Sequence, residues 1–184
     1  MVVVSIACVA LAVSNVNSTD KFSWGENIGW MNWRDSGSPS GDQGVNIGPT
    51  FMSGFIWCEN VGYVNVGNGG GPYTNTDHTN FGVNVATNGD LSGFAWGENI
   101  GWINFSGGAM ANPPQPARVD TGTNPPRLRG YVWGENIGWI NLDVAEAGKF
   151  VAFTPSGCAG DADNDGDTDS TDLNIVLTDF GCLP

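Results

Sequence analysis

The chain has 184 residues, 40% hydrophobic and 11% aromatic, enough material for one sizeable core. Six Lys and Arg stand against 19 Asp and Glu, and the net charge of −13 would repel a phosphate backbone, which excludes a nucleic-acid partner. Only 14% of residues are charged while 28 are Gly and 10 Pro, a balance of short strands and turns, so an all-β body is expected.

The first predicted element is residues 2–13, VVVSIACVALAV. Both parities are apolar, with Val2, Val4 and Ile6 on one face and Val9, Leu11 and Val13 on the other. That is the pattern of a strand covered on both sides. No basic residue precedes the run, and it falls short of the roughly 20 residues of a membrane-spanning helix, so it is expected to stay with the mature chain and not to span a membrane. Left in water such a strand would aggregate. It either completes its own domain or, reaching about 40 Å when extended, fills a groove in a neighbouring copy. The polar residues 14–20, SNVNSTD, read as a linker and favour the neighbour, which sets a first boundary at residue 20.

Residues 21–157 carry an internal repeat: WGENIGWMN from Trp24, WCENVGYVN from Trp57, and WGENIGWIN from both Trp96 and Trp133. An aromatic stands two residues before each (Phe22, Phe55, Phe94, Tyr131), and short apolar runs follow at 44–47, 82–85, 118–119 and 150–153. The predicted unit is a strand, a Gly-Glu-Asn turn, a second strand, a longer loop and a third short strand. Four such units are expected to form an antiparallel β-sandwich or a barrel-like domain.

In each turn Gly and Asn can take positive φ. In the second strand Ile28, Trp30 and Asn32 are placed on one face, with Gly29 leaving the other bare for a tryptophan. The recurring Asn32, Asn65, Asn104 and Asn141 are expected to tie loops, and the turn glutamates Glu26, Glu59, Glu98 and Glu135 to find backbone or indole N–H partners. Trp and Tyr beside Asn and Glu also suit a sugar-binding surface. Seven of the eight tryptophans occupy repeated positions, however, which favours packing. The repeat resembles the W-x-E-N-I-G-W-I motif of secreted and cell-surface proteins of environmental bacteria, a resemblance that covers about residues 22–156 and implies no activity.

The last segment, 158–184, contains DADNDGDTDSTD at 161–172. Asp161, Asp163, Asp165, Asp169 and Asp172 stand at the side-chain positions of a calcium loop, Asp167 at the carbonyl position and Gly166 at the sharp turn. Six carboxylates this close require a cation, so Ca2+ is the expected cofactor, followed by a short apolar helix. The stretch resembles half of a type I dockerin, and the resemblance implies the same ligand set. Dockerins carry two such loops, so cohesin binding does not carry over from one.

Cysteines Cys8, Cys58, Cys158 and Cys182 form an even set in a Lys-poor chain, which points to an extracellular or cell-surface location. A Cys158–Cys182 bridge would close a ring of about 25 residues, worth about 3.5 kcal/mol. Cys58 replaces the turn glycine of the second repeat, and a link to Cys8, within one chain or between two, is the remaining pairing.

Asn17 and Asn104 match glycosylation sequons. His78 is the lone histidine, and no Ser-His-Asp set, zinc cluster or phosphate loop is present, so no enzyme is expected. The glutamates could serve as a glycosidase pair, but their repetition argues for structure. The expected function is a structural subunit of an extracellular bacterial filament, a homopolymer assembled head-to-tail by N-terminal strand donation and stabilised by calcium. The alternative is a calcium-dependent carbohydrate-binding or adhesion module with glycans as partners.

Overall fold

The computed structural model describes residues 14–37 and 43–155. Among them the chain is built of strands and turns, with two short 3-10 turns at Gly107–Met110 and Ala145–Ala147. None of its helical segments is long and apolar enough to cross a membrane.

Eight strands form a closed antiparallel barrel: β1 (Val16–Gly25), β2 (Gly29–Asn32), β4 (Met52–Cys58), β5 (Gly62–Gly67), β7 (Leu91–Gly97), β8 (Gly101–Asn104), β11 (Tyr131–Gly134) and β12 (Gly138–Asn141). The ring closes between β12 and β1. Closure removes the free edges that an open antiparallel sheet would expose. The remaining strands are β3 (Asn46–Ile47), β6 (Val83–Val85), β9 (Arg118–Asp120), β10 (Arg127–Arg129), β13 (Asp143–Val144) and β14 (Lys149–Phe153). They extend the sheet beyond one end of the ring, β3 on β4, β6 on β7, β9 on β10 and β14 on β1.

Each WxENxG segment is one hairpin of the ring, and the four hairpins share one register. Trp24 faces Trp30, Trp57 faces Tyr63, Trp96 faces Trp102 and Trp133 faces Trp139. The seams between hairpins also agree, pairing Asn32 with Trp57, Asn65 with Trp96, Asn104 with Trp133 and Asn141 with Trp24.

The expected turn geometry needs correction. Positive φ falls on the second glycine, at +82° in Gly29 and +84°, +78° and +75° in Gly62, Gly101 and Gly138, and on neither the first glycine nor the Asn. Ile28 belongs to the turn and not to β2, whose ladder with β1 is regular, so Ile28 and Met31 point inward while Trp30 and Asn32 point outward. Ile28 and Trp30 therefore do not share a face.

The barrel interior is filled by Met31, Ile56, Val64, Ala95, Ile103, Val132 and Ile140, all essentially inaccessible. Trp33, the one tryptophan outside the repeated positions, is the one in the core, 1% exposed, with its indole N–H donating to the Ser23 hydroxyl at 2.8 Å.

Residues 14–20 are not a linker. Val16 is buried and opens β1, and the Ser14 hydroxyl donates to the Val45 carbonyl at 2.6 Å. The Asn15 amide donates to the carbonyls of Ile47 and Thr154, each at 2.9 Å. Polarity here reflects side chains satisfying the ends of neighbouring strands rather than a solvated tether.

Candidate functional site

Two features of the barrel could engage another molecule: its outer aromatic face and a concavity at one end. Alternation carries Phe22 and Trp24 outward on β1 and Trp30 outward on β2, and the other hairpins repeat this. Each hairpin thus presents three rings. The cross-strand pair has centroids 4.8, 4.6, 4.6 and 4.7 Å apart in chain order, with the leading Phe or Tyr about 6 Å from the second-strand ring. Trp30, Tyr63 and Trp102 remain 41%, 47% and 38% exposed. The repeated tryptophans pack against one another across each hairpin, and they do so on the outside of the barrel and not in its core.

Four grooves run between neighbouring hairpins. In the third, Phe94, Trp102 and Asn104 of one hairpin face Trp133 and Glu135 of the next. The same positions recur in the others, with Lys149 added beside Phe22 in the first. The four recurring Asn side chains tie the strand ends, as expected. Each Oδ1 accepts the N–H two residues on, from Arg34, Gly67, Ser106 and Asp143 at 2.8 to 3.0 Å. The turn glutamates are exposed and have no hydrogen-bond or ion-pair partner among the described residues, so the backbone or indole N–H partners expected for them are not found there.

At the turn end of the barrel the turn Asn of each motif, expected only to adopt a turn conformation, makes a closed circuit. Asn60 donates to the Ile28 carbonyl, Asn99 to Val61, Asn136 to Ile100 and Asn27 to Ile137, at 2.9 to 3.1 Å. The buried Ile28, Ile100 and Ile137 plug this end beneath the circuit.

At the opposite end, a concavity of about 330 Å³ is lined by the buried Ile47 and Phe153, the partly exposed Val85, Val119 and Pro155, and the polar Thr87, Asn88 and Thr121. The chain meets this rim at Asn15, held between Ile47 and Thr154.

Among the sequence-derived site residues, Asn17 lies in β1 with its Oδ1 accepting from the N–H groups of Thr19 and Asp20. Asn104 lines the third groove. Cys58 is a buried free thiol donating to the Ile28 carbonyl at 3.4 Å. Cys8, Cys158, Cys182, the apolar residues Val2, Val4, Ile6, Val9, Leu11 and Val13, and the loop aspartates Asp161, Asp163, Asp165, Asp167, Asp169 and Asp172 lie outside the described residues. Compared with family models, curated proteins and solved structures, the chain matches none.

Proposed function

We propose that this chain is a structural subunit of an extracellular bacterial filament, in which residues 2–13 of one copy cover the concavity at the end of the next barrel. Calcium bound at 161–172 braces the C-terminal segment. The observation that carries the reading is the coincidence, at one rim, of a concavity floored by the buried Ile47 and Phe153 and walled by the partly exposed Val85 and Val119 with Asn15, which is bonded to Ile47 and Thr154 there. Residues 2–13, ahead of Asn15 in the sequence, are apolar except for Ser5. The β12–β1 closure leaves no gap between strands, so the donated segment seats in the barrel mouth rather than in a missing-strand slot. Extended, it would reach about 40 Å, farther than the roughly 33 Å of the ten-residue β1, which is long enough to reach a neighbouring copy. A contact between the leading segment of one copy and the mouth of another is heterologous and propagates without closing.

Electron microscopy of the full chain and of a variant lacking residues 1–13 tests this. Filaments from the first and folded monomers from the second are expected, and Ile6→Asp should also abolish filaments. Monodisperse particles from the full chain, or filaments from the truncated one, overturn the reading. The outward aromatic grooves favour a second reading, a calcium-dependent carbohydrate-binding or adhesion module.

A further inference from the structure

We infer that the groove between the third and fourth hairpins is a binding site for a short neutral oligosaccharide. The inference rests on the second reading and is independent of the filament. Four-fold repetition accounts for Phe94, Trp102, Asn104, Trp133 and Glu135, which recur in every groove. It does not account for the segment at 75–81, which adds Asp77, His78 and Phe81 to this groove alone. Phe81 packs edge-on against Trp102 with centroids 5.1 Å apart, fixing a ring that is 38% exposed.

The added wall is preorganised. The Asn75 Oδ1 accepts from the N–H groups of Gly82 and Phe94, and the Asn80 Oδ1 from those of Thr76 and Asp77. Asp77 Oδ1 accepts from the Thr79 N–H at 2.7 Å and its hydroxyl at 2.6 Å, which leaves the other carboxylate oxygen for a ligand. A site held this way pays less ordering cost on binding. Its volume of about 500 Å³ lies within the roughly 300–1,000 Å³ of small-ligand sites.

Chemistry selects the ligand class. Trp102, 38% exposed, offers apolar ring surface to the C–H groups of a pyranose. Asp77 and Glu135 accept hydrogen bonds, while the Asn104 amide, whose Nδ2 has no acceptor among the described residues, donates them. Hydroxyl groups answer both kinds of partner. An anionic polymer would be repelled by two groove carboxylates on a chain of net charge −13, and a simple cation would leave the amide donor opposed.

The test is titration of the full chain, by tryptophan fluorescence and calorimetry, with the hexasaccharides of β-1,4-linked glucose, xylose, mannose and N-acetylglucosamine. At least one should bind saturably. Asp77→Asn, an exposed loop change, should weaken it several-fold and Trp102→Ala tenfold or more, while Trp30→Ala in the first groove should leave it within twofold. Binding that is lost in Trp30→Ala but kept in the other two removes this groove while leaving saccharide binding intact. No binding at 10 mM by any of the four, or a response to tetramethylammonium alone, overturns both the site and the second reading and leaves the filament untouched.

Discussion

The first position of the turn is glycine in three repeats and cysteine in the second, and the neighbour three residues on changes with it. A Cβ at Gly25, Gly97 or Gly134 would stand 2.4 to 2.7 Å from the Cγ1 of Ile28, Ile100 or Ile137. Where Cys58 supplies a Cβ, the corresponding residue is Val61, one methyl smaller. The pair is a matched exchange of volume at the turn end of the core. Gly97→Cys alone should therefore destabilise by about 1–3 kcal/mol through overpacking, and Ile100→Val should recover much of that loss in the double variant. Urea unfolding of the four members of the cycle measures this; additive effects would show that the two sites do not share space. The second turn glycine is constrained differently. At Gly101 φ is +78°, a region that costs an L-residue about 1–2 kcal/mol, and this is what lets Ile100 point inward while Trp102 points outward.

At the scale of elements, the strands outside the ring are joined by charge. Arg129 on β10 donates to Asp120 on β9 and to Asp143 on β13, and Arg127 lies 3.5 Å from Asp143. The hydrogen bond from Arg129 holds the Asp120 carboxyl below its ordinary value. At Asp35 burial pushes upward, but the hydrogen bonds from Lys21 and Asn32 outweigh it and the net shift is also downward. A carboxyl depressed in the folded state stabilises the fold fully above its unfolded value, and that contribution is lost as pH falls through the folded one. Unfolding free energy should therefore decline as pH drops below the ordinary carboxylate range near 4. Arg129→Ala should flatten that decline as well as lower stability at neutral pH. Denaturant midpoints between pH 2 and 7 check this, and an unchanged slope would remove Asp120 from the account.

For the whole molecule, all eight tryptophans lie between Trp24 and Trp139, so their fluorescence reports the barrel and not the C-terminal segment. Chelation should leave the thermal midpoint of tryptophan fluorescence unchanged while releasing one calcium per chain, and Asp161→Ala with Asp172→Ala should abolish calcium uptake measured by calorimetry. A barrel transition that moves with chelator would instead tie the two parts into one cooperative unit.

The sequence by itself determined the all-β class, the four hairpins and the Asn residues that end their strands, because hydrophobic alternation, turn glycines and Asx chemistry act over a few residues. Only the tertiary structure decided that β12 returns to pair with β1, that Trp33 enters the core while the seven repeated tryptophans face outward, and that a strand begins at Val16. Each of these depends on partners distant in the chain. Whether a ring closes, and which face of a hairpin lies inside it, follows from the seams between hairpins, which pair residues of different repeats.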